Sequence, residues 1–208
     1  MPSAQRRRRL VFAAGWAAVG LAALALFAGP ANAQPSGEDC PPADTSRPFM
    51  PWLDFANYVL APAGDVETSG SWALSGGAAI VAGNELFQVG GSNDRASLRL
   101  PTGSSAATAP MCVGLEHPTV RFFAKRESDS PLGVLGVEAL FTDEAGYVHR
   151  VPIGTIVGPG AWAPTAPLPL AVNTVALIDN TMQVSFRFTP LDGSEWSIDD
   201  VYVDPYRM

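Results

Sequence analysis

Two carboxylates stand side by side, Asp199 and Asp200, inside a segment that reads as a strand, Trp196 to Val203. Successive strand residues point to opposite faces, so one of the two must lie on the side facing the protein, where an ionised acid needs a partner. A local backbone amide, or Arg187 on a neighbouring strand, would serve Asp200.

Other side chains have the chemistry to hold a sugar, which needs aromatic rings for its apolar face and polar groups for its hydroxyls. Trp162, set between Pro159 and Pro164, is the aromatic least explained by strand alternation, and Tyr147 follows beside a turn. Alternation puts Arg121, Arg187 and Glu138 on outer faces, where they either pair across strands or contact a ligand. Catalytic chemistry is thinly represented: His117 precedes Pro118, His149 precedes Arg150, and no Gly-x-Ser-x-Gly or His-Glu-x-x-His pattern occurs. Carboxylates are abundant, so a two-acid polysaccharide hydrolase stays open as the least favoured reading.

The positioning elements are short strands: Asp65 to Thr68, Trp72 to Leu74, Ala78 to Ala82, Ser97 to Leu100, Thr119 to Lys125, Val134 to Thr142, Tyr147 to Pro152, Ala171 to Ile178, Gln183 to Thr189 and Trp196 to Val203. Turn residues separate them, as at Ser75-Gly76-Gly77, Gly90 to Asp94, Asp143 to Gly146 and Asp192-Gly193-Ser194. Val120, Phe122 and Ala124, then Val137, Ala139 and Phe141, then Val184, Phe186 and Phe188, form the core faces of three of them. Many short strands without helical periodicity predict an all-β sandwich or jelly roll.

Ahead of these strands, Arg6 to Arg9 and the apolar run Leu10 to Ala28 end at Ala31-Asn32-Ala33, the pattern of a cleaved signal peptide over residues 1–33. A membrane enters only if that segment stays uncleaved. A Pro-rich leader over 34–51 and one sandwich domain over 52–208 follow. Cleavage removes four of the 13 basic residues and leaves nine against 20 acidic ones, a net charge of −11. Such a surface excludes nucleic acid and favours neutral glycans or extracellular proteins as partners. Cys40 and Cys112, both beyond the signal and so destined for an oxidising compartment, are expected to pair.

Ala63-Gly64-Asp65-Val66-Glu67-Thr68-Ser69-Gly70, followed by Trp72 to Gly77, resembles the start of carbohydrate-binding modules with the galactose-binding-like jelly-roll fold. Their usual form is N-G-x-F-E-x-G before a Trp; here Val66 stands for the Phe and Ala63 for the Asn. Ser197 to Val201 is similar to their last strand. The mature region also resembles an uncharacterised family of secreted actinobacterial proteins through Trp72 to Gly77, Gly83-Asn84-Glu85, Pro118 to Ala124 and the C-terminal strand. The module resemblance implies a structural calcium held by Glu67 and Asp199, with Asp200 as the ligand if the strand face is shifted by one. It implies a secreted or cell-surface, non-catalytic module, with a structural or protein-interaction domain as the alternative.

Overall fold

The computed structural model describes residues 40–204 apart from 69, 115–116, 129–132, 159 and 171–180. The expected strand Ala171 to Ile178 and the apolar run Leu10 to Ala28 therefore lie outside the described residues. Among the described residues no helix is long and apolar enough to cross a membrane.

Thirteen strands are described: β1 Val59–Leu60, β2 Ala73–Ser75, β3 Ala79–Ala82, β4 Ala96–Leu100, β5 Ser105–Ala107, β6 Met111–Gly114, β7 Thr119–Arg126, β8 Val134–Thr142, β9 Val148–Ile156, β10 Ala163–Pro164, β11 Leu168–Pro169, β12 Thr181–Leu191 and β13 Trp196–Asp204. They form two antiparallel sheets. The first runs β10-β7-β13-β4-β3, with β1 on β13 and β11 on β7; the second runs β2-β5-β12-β8-β9, with β6 on β12. This is the expected jelly-roll sandwich, and its core lies between the sheets: Val120, Phe122 and Ala124 face Val137, Ala139, Val184, Phe186 and Phe188. The disulfide Cys40–Cys112 is formed and ties the N-terminal segment to β6.

Asp65 to Thr68 is not a strand. Ala63 and Val66 have φ of 53° and 59°, and the loop docks on β13: Ala61 donates to the Val201 carbonyl (2.8 Å), and Val201 donates back to Gly64 (3.0 Å). A Cβ on Gly64 would stand 2.5 Å from the Val201 carbonyl oxygen, so the contact requires glycine.

β13, expected to be half-buried, is buried on both sides from Trp196 to Val203. The inner side packs in the sandwich core. The outer side is roofed by residues 46–60, whose Phe49 and Tyr58 pack on Phe123 and Tyr202. That N-terminal strap is fastened by the Ser46–Tyr58 bridge, by β1 on β13, and by Asp54, which takes hydrogen bonds from Tyr58 (2.7 Å) and Arg121.

Candidate functional site

The acids at the end of the chain depend on an irregularity in β13. Its pairing with β7 shifts register between Asp199 and Tyr202, and Asp200 takes a left-handed φ of 51°. An extra residue in one strand is a β-bulge. Without it, alternation would set Val201 and Val203 against Trp196 and Ile198; with it, all four reach the core. The bulge leaves both carboxylates on the far side, and both are wholly buried, where alternation predicts opposite faces.

One loop, the β3–β4 connection over 83–95, brings further acids to Asp200. Glu85 follows β3, Asp94 precedes β4, and both are buried. One carboxylate oxygen each from Glu85, Asp94 and Asp200 lie within 4.8 Å of one another. Neither oxygen of Asp94, nor of Asp200, makes a hydrogen bond of regular geometry, the Asn84 side chain bearing on Asp94 and the Gly90 amide on Asp200. Asp199 sits beside them with its needs met locally: its oxygens accept from the Asp200 amide (2.9 Å) and the Glu85 amide (3.4 Å). Gly90 borders the cluster, and a Cβ there would lie 3.0 Å from Asp94 Oδ2 and 3.3 Å from Asp200 Oδ1.

Burial without a counter-charge favours the protonated form of Asp199 and Asp200 and, less strongly, of Asp94. Burial first, and then Asp200 and Asp94, push Asp199 up to about 9. Burial, with Asp94 and Glu85, pushes Asp200 up to about 8. Asp94 rises to about 6 through burial and the charges of Glu85 and Glu67. Three converging carboxylates, those of Asp94 and Asp200 with unpartnered oxygens, are a hard-oxygen donor set, suited to calcium or magnesium rather than to a soft metal.

Glu67, which the resemblance implies as a ligand, is exposed and borders the trio through Asp94. Its Oε1 accepts from the amides of Arg95 and Ala96 at 2.6 Å each, and those bonds hold its carboxyl below the usual range. Glu85 and Asp94 carry no sequence signal beyond turn composition; the signal that could have found them is their place at the two ends of the β3–β4 connection, which the fold brings to the last strand.

The expected ligand-binding residues separate. Arg187 and Glu138 are directly opposite on β12 and β8, on the outer face of the second sheet. Their charged ends are 3.9 Å apart, and Arg187 also donates to Ser105 at 3.3 Å. Arg121, expected to meet them, belongs to the other sheet. It is buried beneath the strap, donating to Asp54 and to the Thr165 carbonyl with its guanidinium over Phe49. Arg187 therefore pairs with Glu138 and not with Asp200. Trp162 packs, partly buried, against the strap's aromatic cluster. Tyr147 is 70% exposed in the β8–β9 hairpin.

The two histidines hold structure. His117 is buried and accepts from the Gly114 amide (3.0 Å), while His149 stacks on Phe141 and meets Asp143 at 2.7 Å. A groove of about 240 Å³ between β9 and β10, bordered by Ala124, Thr155 and Ile156, carries no charged side chain.

No family model matches the chain, and no curated protein does. Solved structures of similar fold exist. The CBM22-1 xylan-binding domain of Paenibacillus barcinonensis Xyn10C matches with a TM-score of 0.51 at 10% identity, over 74% of this chain and 97% of that one. The CBM22-1–GH10 modules of Clostridium thermocellum xylanase 10B, complexed with xylohexaose, match with a TM-score of 0.51 at 14% identity. There the match covers 72% of this chain, which spans 28% of the other. At these identities the likeness establishes the fold.

Proposed function

We propose that this chain is a secreted, non-catalytic binding module that holds a neutral glycan on the outer face of its second sheet and carries one structural calcium ion. The observation that carries the glycan reading is the contrast between the two outer faces. One is roofed by the strap. The other presents the partly exposed Arg187, Glu138, Ser185 and Ser105, with Arg187 and Glu138 too far apart for a hydrogen bond to each other. Guanidinium and carboxylate groups held so on rigid strands are suited to hydroxyl pairs. The shared fold with a xylan-binding domain and with modules that hold xylohexaose supports a glycan of that kind. The signal-like start and the disulfide support secretion.

Calorimetric titration of the secreted chain with soluble xylan and other neutral polysaccharides tests the ligand. Binding that is lost in Arg187→Ala and Glu138→Ala is expected; a flat response to every polysaccharide removes this reading.

Glu85, Asp94 and Asp200 would hold the calcium, the ion supplying the positive charge that the cluster lacks. Excess calcium should raise the midpoint of thermal unfolding over that in chelator by several degrees, since about 1 kcal/mol moves a domain of this size by roughly 2 to 4 °C. Asp200→Asn should abolish the shift and Glu67→Gln should keep it. Equal midpoints in calcium and chelator refute the site.

A protein-interaction role is favoured by one separate feature, an exposed apolar surface of Met50, Leu53, Phe55, Leu86 and Phe87 on two loops joined by the Trp52–Phe87 ring contact.

A further inference from the structure

The loop that offers Glu85 and Asp94 to the acidic cluster also touches the strap. The Glu85 carboxylate accepts hydrogen bonds from two amides of its own loop, Phe87 and Val89 (2.6 Å for the latter). The side chains of those same two residues reach the roof. Phe87 packs edge-on against Trp52 at 4.8 Å and lies 5.7 Å from Phe123, and Val89 packs against the cluster of Phe49, Tyr58, Phe123 and Tyr202. One carboxylate thus faces Asp94 and Asp200 on one side and fixes, on the other, the backbone that carries the strap's contacts.

We infer that cation binding at Glu85, Asp94 and Asp200 clamps the N-terminal strap onto the first sheet, through the Glu85 carboxylate and the packing of Phe87 and Val89. This rests on the calcium reading above. With the cation absent, nothing offsets the cost of burying the three carboxyl groups, and the loop is released from the β13 bulge. The loop then withdraws Phe87 and Val89 from Trp52 and its neighbours, so segment 46–60 opens from the Phe123–Tyr202 face. With the cation bound, that opening requires its release. Opening is therefore suppressed by the mass-action factor, roughly a hundredfold at a free cation concentration of about a hundred times Kd.

The two faces of the molecule then differ in kind. The second sheet's face is open at all times, whereas the aromatic face of the first is closed by a strap under cation control.

Hydrogen exchange read by mass spectrometry on the full secreted chain, in calcium and in chelator, tests this, with calorimetry of calcium binding on the same sample. The expected result is slower exchange in calcium both at 84–91 and at 46–60. In Phe87→Ala the response at 46–60 should shrink at least severalfold while calcium binding and protection at 84–91 persist. Phe87→Leu, which keeps an apolar side chain, should restore most of it. Calcium that binds and protects 84–91 but leaves 46–60 unchanged overturns the clamp and leaves the cation site standing. A Phe87→Ala protein whose 46–60 response equals the parent's overturns the route. Absence of calcium binding overturns both the clamp and the site beneath it.

Discussion

Asp200 is a residue in which backbone and side chain both oppose the cation-free fold. A non-glycine residue at φ 51° carries a penalty of about 1 kcal/mol or more. Its carboxylate is fully buried with neither oxygen in a hydrogen bond of regular geometry. Glycine at this position relieves the backbone and deletes the buried carboxyl group. Asp200→Gly is therefore expected to raise the cation-free melting midpoint by a few degrees and to erase the calcium-dependent increment, as read by calorimetry in chelator and in calcium. A lower cation-free midpoint would mean that the carboxylate has a partner. Gly90→Ala addresses the other wall of the cluster. Gly90 has no left-handed φ, so alanine fits the backbone, but the new methyl stands against Asp94 and Asp200 at 3.0 and 3.3 Å. Calcium affinity should fall by about tenfold, equal to about 1.4 kcal/mol, with the cation-free midpoint nearly unchanged.

At the scale of elements, the strap is an added layer held by one buried charge pair as well as by rings. Burial works to raise Asp54, but hydrogen bonds from Tyr58 and the Ala56 amide, with the Arg121 guanidinium, outweigh it and hold the carboxyl below 3.8. A depressed folded value means that Asp54 contributes stability fully above its unfolded value of about 3.9, and that the contribution is lost as pH falls through the folded value. Detachment of the strap should accordingly appear below about pH 4, as a change in tryptophan emission that Trp52→Phe diminishes. Asp54→Asn leaves the buried Arg121 without a counter-charge and should destabilise by about 2 kcal/mol at neutral pH, removing that acid step. The strap also explains what the sequence could and could not reveal. Alternation in β7, β8 and β12 exposes their core faces to reading, because each packs one apolar row into the sandwich. The outward Phe123 and the all-round burial of β13 were illegible, since a roof contributed by residues more than 60 positions away leaves no period in the strand it covers. β5 and β6 escaped notice because Ser105–Ala107 and Met111–Gly114 are too short and too small-chained to alternate visibly. Asp199 and Asp200 announced a buried charge, but the bulge that decides which one turns to the cluster is a backbone event. Glu85 and Asp94 wear the same composition as any polar turn.

At the scale of the molecule, two fastenings act on different states of the chain. The disulfide joins Cys40 to Cys112 across 72 positions and restricts mainly the unfolded ensemble, a contribution of about 4 kcal/mol on the chain-entropy account. The cation binds only where Glu85, Asp94 and Asp200 converge, 115 positions apart at their extremes, and so stabilises the folded state by mass action. Restricting one state and stabilising the other makes the two effects independent, so they should add. Four thermal unfolding curves check this, with and without reductant and with calcium or chelator. Reduction should lower the midpoint by roughly 10 °C in either medium, and the calcium increment should be the same for oxidised and reduced protein within about 0.5 kcal/mol. A reduced protein that loses the calcium increment would show instead that the segment starting at Cys40 peels away before the sandwich unfolds, taking Trp52 from Phe87 and weakening the cation loop from its far side. The same curves at low and high salt separate a third contribution: 13 basic residues against 20 acidic ones give a self-repulsion that screening relieves. Salt should therefore raise the cation-free midpoint more than the calcium-loaded one, because the ion already neutralises the most closely packed of those charges.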